Sequence, residues 1–246
     1  MTMARKKGGG GGRQRARQRA QYDELDKYPV MPPHAFARIV RDKQTLNIIY
    51  QIIEPPLTKK EQEQRDEIMD IFIRSLTANI EEIDSNPEAY VRTAMDKVIK
   101  AYSMKINKKS KSKLFYYLRR DLIGYGKMDV LMNDVNVEDV SLDGTNVPIF
   151  AYHRKFESVE TTCLWATDEE LESYVIKLAQ RCGKHISVAE PLLDATLMDG
   201  SRIVMKLGHE ISTRGSAFCI RRFKDDPFSP ADIVAFRTMS SLMVAY

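Results

Sequence analysis

Residues 199–223 read DGSRIVMKLGHEISTRGSAFCIRRF, and few structures accommodate such a stretch. Asp199-Gly200 is a turn signal, and the run after it alternates. Ile203, Met205 and Leu207 fall on one face of a strand, and Arg202, Val204 and Lys206 on the other. A loop containing Gly208 and Gly215 leads to a second strand run, 217–223, which carries the adjacent Arg221 and Arg222. Adjacent strand residues face opposite ways, so only one of these two can share a face with Arg202. The alternation leaves open which one: Phe218 and Ile220 go with Arg222, Cys219 and Phe223 with Arg221, and either set could line a core. Exposed strand arginines are by default a solvated face. Two of them near one edge, however, can present two planar guanidinium forks to a single anion, and phosphate oxygens match that geometry.

The remainder divides into a helical and a strand-rich part. Residues 36–40 and 46–53 are apolar runs separated by Arg41–Lys43 and read as a strand pair ended by Pro55-Pro56. Thr58-x-x-Glu61 is a capping box opening a helix with the stripe Ile68, Phe72, Leu76, Ile80 and Ile83. Asn86-Pro87 opens a second helix with Val91, Met95, Val98 and Tyr102. A third carries Leu114, Leu118 and Leu122 and is closed by Gly124, with Lys105, Lys108, Lys109, Lys111 and Lys113 in the linker before it. Further on, residues 137–142 and 148–152 read as a hairpin around Asp143-Gly144, and 155–164 as another strand. Thr167-x-x-Glu170 caps a helix with Leu171, Val175, Leu178 and Cys182 that stops at Gly183. Ser229-Pro230 starts a last helix with the stripe Phe236, Met239, Leu242, Met243 and Tyr246.

The fold class is therefore α+β, in four parts. Residues 1–27 are a disordered basic tail. Residues 28–124 are a helical-bundle subdomain with a leading strand pair, 125–228 a mixed-sheet subdomain, and 229–246 a linker helix. The net charge of +4 conceals an asymmetry: residues 1–20 carry seven cations and no acid, which leaves the rest at −3. Gly8–Gly12 in that tail lacks the Lys-[ST] of a phosphate loop. The tail also has no aromatic residue to stack on bases, which ranks nucleic acid last among partners. The three cysteines form no CxxC, and no two histidines stand at i, i+4, so no metal site is expected. The acids Asp129, Asp134, Glu138 and Asp139 have no His or Cys partner at a spacing that marks acid–base work. No apolar run approaches the roughly 20 residues of a membrane span.

Three blocks resemble one family. They are residues 190–223, residues 124–154 (GYGKMDVLMNDVNVEDVSLDGTNVPIFAYHR), and YPVMPPHAFARIV with IIYQIIEPPLTKKE between Tyr28 and Glu61. Together they resemble the N-terminal domain of secretion ATPases, the motors of type II and type IV secretion, type IV pili and the archaellum, and in particular the archaeal archaellum and pilus branch. The resemblance implies a PAS-like second subdomain. It implies a homo-hexamer in which the last helix leads to a RecA-like core holding ATP and Mg2+. It also implies a location in the cytoplasm, peripheral at the inner face of the cell membrane, against a membrane platform protein. Arg202 and Arg221 would be arginine fingers on the nucleotide phosphates, and Arg214 and Arg222 weaker nucleotide-binding candidates. These 246 residues contain no Walker A loop, so the chain alone is expected to bind no ATP or Mg2+ and to be inactive. The alternative reading is a stand-alone, non-catalytic module that docks on the assembly platform.

Overall fold

The computed structural model describes residues 21–75, 86–223 and 229–244. The basic tail at 1–20, the stripe residues Leu76, Ile80 and Ile83, and Tyr246 lie outside them. The described residues form an α+β structure organised on one nine-stranded mixed sheet.

Three strands lead: β1 (Tyr22–Met31), β2 (Ala35–Asp42) and β3 (Ile48–Ile53), successive antiparallel neighbours. The strand pair expected from sequence is thus a triplet. Residues 22–27, assigned to a disordered tail, belong to β1. Its polar, weakly alternating YDELDK hides the strand, which is set by pairing with β2 from Tyr22↔Asp42 to Met31↔Ala35.

Helices α1 (Lys59–Ser75), α2 (Pro87–Ala101) and α3 (Lys108–Leu122) follow. Their expected stripes meet in a core of their own, made of Ile68, Phe72, Val91, Met95, Val98, Leu114 and Leu118. Lys108, Lys109, Lys111 and Lys113 are not in a linker. Asn107 caps α3 by accepting the Ser110 N–H at 2.7 Å, which draws the lysines into the first turns of the helix. The far side of α3 joins the bundle to the sheet. The Tyr116 and Tyr117 hydroxyls donate to Glu54 Oε1 (2.7 Å) and the Pro55 carbonyl (2.8 Å), and Arg120 grips Glu54 through two bonds. Gly124 is required after α3 because a Cβ there would lie 2.3 Å from Oδ1 of buried Asp129.

Past the short α4 (Asp129–Asn133), strands β4 (Val137–Leu142), β5 (Pro148–His153) and β6 (Glu157–Leu164) form an antiparallel meander. Helix α5 (Asp168–Arg181) precedes β7 (Leu192–Thr196), β8 (Arg202–Lys206) and β9 (Ala217–Arg221). Strand order is β1-β2-β3-β6-β5-β4-β9-β8-β7, with β3 and β6 parallel and the other pairs antiparallel. Leu171, Val175 and Leu178 of α5 share one core with Val140, Ile149, Ile203, Met205, Phe218 and Ile220. The opposite face of β4–β9 is exposed at Phe150, Tyr152, Val204 and Cys219.

The final segment departs from the expected single helix. It is two short ones, α6 (Pro230–Ala235) and α7 (Ser241–Val244). The Ser229 capping box opens α6 as expected, but Arg237 takes φ 58° and the Thr238 N–H returns to the Ile233 carbonyl, closing the helix. Phe236, Met239, Leu242 and Met243 are exposed. Among the described residues none of 229–244 belongs to a buried core, and short helices without such packing are marginal.

Candidate functional site

Strand register decides which arginines meet. Arg202 of β8 lies directly opposite Arg221 of β9. The next residue inward, Ile203, opposes Ile220, and both are fully buried. The core thus takes the Phe218 and Ile220 face of β9, and Arg221 is left on the solvent face beside Arg202 with its side chain 80% exposed. The row continues on both sides: Arg221 opposes Asp139 of β4, and Arg202 opposes Thr196 of β7. The Arg221 Nε donates to Asp139 Oδ1 at 3.1 Å, and this bond raises the guanidinium pKa above its ordinary value. Like charges facing each other across a ladder destabilise it. Asp139 offsets this on one side only; among the described residues Arg202 has no ion pair. An oxyanion between the two guanidinium groups would relieve the repulsion and match both forks.

Arg222 is not part of the row. Its side chain turns to the core side, where Nη1 donates to the carbonyls of Asp134 and Val137, the latter at 2.9 Å, and its backbone N–H bonds to the Glu138 carbonyl. It therefore clamps the end of β9 onto β4. Arg214 is also apart, in the β8–β9 loop, where its carbonyl accepts the Thr145 N–H. That loop leaves the hairpin at Lys206↔Ala217, four residues along β8 from Arg202, which is about 13 Å at strand rise.

The acidic run is dispersed. Asp129 pairs with Arg119 (3.1 Å), Asp134 accepts the hydroxyls of Tyr28 (2.6 Å) and Tyr50 (2.7 Å), and Glu138 pairs with Arg154 (2.9 Å). Only Asp139 reaches the arginine row. The sequence names Asp139 only as an acid without a His or Cys partner; its pairing with Arg221 is decided by β4 lying beside β9. His153 is likewise a discovery of the tertiary structure, since it joins Asp134 through Tyr28 across 125 residues of chain.

Beside Arg202, along the outer edge of β7, runs a cleft of about 470 Å³ lined by Cys182, Lys184, Asp194, Ala195, Thr196 and Arg202. Lys184 Nζ donates to the Asp194 carbonyl at 2.6 Å. A second cleft of about 280 Å³ holds Arg120 and Lys127, but Glu54 and Glu170 already pair with them. The donor set thus fits phosphate oxygens. Among the described residues no three His, Cys, Asp or Glu side chains gather as a metal site. No helix among them is long and apolar enough to cross a membrane.

No family model matches the chain. It is 40% identical to an uncharacterized protein of Methanocaldococcus jannaschii over 164 residues, 66% of this chain and 65% of that protein. It is 30% identical to a second uncharacterized protein of the same organism over 224 residues, 89% of this chain and 39% of that one. The chain thus spans less than two thirds of the length of these relatives. Among solved structures it is similar to the VirB11 ATPase from the Brucella suis type IV secretion system in complex with sulphate. That similarity is 19% in sequence, with a TM-score of 0.37, over 44% of this chain and 33% of the other. At that level it carries no argument about function.

Proposed function

We propose that this chain is the N-terminal, regulatory half of a hexameric secretion-, pilus- or archaellum-type ATPase. In this reading it works peripherally at the inner face of the cell membrane, against a platform protein. Its part in the chemistry is to present Arg202 and Arg221 to the phosphates of a nucleotide held by a RecA-like core. The observation that carries the reading is their direct opposition on the solvent face of β8 and β9, where one anion can meet both guanidinium groups. The sequence blocks that resemble this family support it independently. ATP supplies the phosphoryl group and the core supplies the metal. What this chain contributes is fixed positive charge. Arg202 and Arg221 stabilise the negative charge that builds on the phosphate oxygens during transfer, and Asp139 holds the Arg221 guanidinium in the row.

In the full-length enzyme, Arg202→Ala and Arg221→Ala are each expected to lower kcat on the order of 10²–10³-fold, with KM for ATP within a few-fold of the parent. Arg→Lys recovers little at either position, because an ammonium lacks the bidentate fork. Arg222→Ala is the control: its loss is expected in thermal stability, from the two carbonyls it leaves without a donor. Turnover unchanged in both Arg202 and Arg221 variants would sink the proposal.

A further inference from the structure

We infer that Lys184 is a third cation of this phosphate site, and that the β7 edge takes a chain of condensed phosphates rather than a single one. The inference rests on the reading of Arg202 and Arg221 given above. Arg221, Arg202 and Thr196 step outward across β9, β8 and β7 in one register row. At about 4.8 Å per strand the row covers roughly 10 Å. The cleft begins at Thr196 and Arg202 and reaches Lys184, which follows α5. A single phosphate can fill only the gap between two neighbouring cations. Three linked phosphates can touch Arg221, Arg202 and Lys184 in turn, with the Thr196 hydroxyl as a neutral donor beside them.

Lys184 is poised for this. Among the described residues its ammonium has no carboxylate partner; its bond is to the neutral carbonyl of Asp194. Exchanging that carbonyl for a phosphate oxygen replaces a bond with one charged partner by a bond between two opposite charges, and the exposed Asp194 carbonyl is left to water. The Asp194 carboxylate lines the same cleft and opposes an anion, so its removal should favour binding.

The test is calorimetric titration of the 246-residue chain with orthophosphate and with tripolyphosphate at matched ionic strength. Tripolyphosphate is expected to bind more tightly. Lys184→Ala should weaken tripolyphosphate about fivefold to tenfold and leave orthophosphate within about twofold. Lys184→Gln keeps a donor for the Asp194 carbonyl and drops the charge, so it should match the alanine variant; Lys184→Arg should bind like the parent. Asp194→Asn should tighten tripolyphosphate. If Lys184→Ala binds tripolyphosphate like the parent while Arg202→Ala does not, the role of Lys184 is overturned and the arginine reading stands. Equal weakening of both anions by Lys184→Ala, or full binding by Lys184→Gln, overturns it as well. If the parent chain binds neither anion, the Lys184 inference is overturned, while the arginine reading, in which a separate core holds the nucleotide, still answers to the kcat test in the full-length enzyme.

Discussion

His153 is 2% exposed, yet both ring nitrogens are engaged. The Lys155 N–H points at Nδ1 (3.1 Å), so Nδ1 must be an acceptor. The Tyr28 hydroxyl lies 2.9 Å from Nε2 and donates its proton to Asp134 Oδ2, so Nε2 carries the hydrogen and the ring is neutral. Protonation would set a second donor against the Lys155 N–H. Burial lowers the His153 pKa below 6.5; the nearby Asp134 and Asp26 pull it up, and Lys155 pushes it down. The sign of the pH effect follows. With the folded pKa lowered, the unfolded chain takes up the proton first, so stability is full above pH 6.5 and falls as pH drops below it. His34 is shifted the same way by burial. A His153→Gln variant, which keeps a donor toward Tyr28, isolates the contribution. Between about pH 8 and pH 5.5 its melting temperature should fall less than the parent's. An equal fall in both proteins would show that His153 does not titrate on unfolding.

At the scale of elements, Glu61 serves two helices at once. Its backbone N–H and carboxylate complete the capping box with Thr58 at the start of α1 (3.2 and 2.8 Å). Its other oxygen accepts the Ser110 hydroxyl from the first turn of α3 at 2.6 Å, with Lys113 at 3.4 Å. The Ser110 bond and then the Thr58 N–H hold its pKa down to about 2. A depressed carboxylate stabilises the fold above its ordinary pKa and loses that contribution as pH falls towards about 2. Glu61→Ala at neutral pH should cost about 1–2 kcal/mol in urea unfolding, from a lost cap and a stranded buried hydroxyl. Glu61→Gln, which still accepts one bond, should recover part of it. A loss within experimental error would show that α1 and α3 hold together by their apolar stripe alone. The capping box itself was legible in Thr58-x-x-Glu61, because it closes within three residues. Its second use was not, because Ser110 lies 49 residues away and only packing of the bundle brings it there.

In the whole molecule, the leading strands and the arginine strands belong to one sheet joined by a short parallel seam, Ile49↔Glu160 and Tyr50↔Thr161. Asp134 reinforces that join, its carboxylate bound to Tyr28 and Tyr50 and its carbonyl to Arg222. These 246 residues contain no G-x-x-x-x-G-K-[ST], so purified chain should release no phosphate from ATP above a buffer blank, and turnover that follows the protein through purification would overturn this. Sequence alone determined the α+β class, the helix starts at Thr58, Asn86, Thr167 and Ser229, and the inward set Ile203, Met205 and Leu207. Each depends on a cap or a period confined to a few residues, and such signals survive wherever the segment is placed. Tertiary structure alone decided that β1 exists, that β3 runs parallel to β6, and that α6 stops at Phe236. It also decided that Arg221 rather than Arg222 stands beside Arg202. Alternation in β9 allows either face. The choice fell to the apolar area of Phe218 and Ile220, which α5 can cover and Cys219 cannot replace, and the arginine row is the other side of that burial.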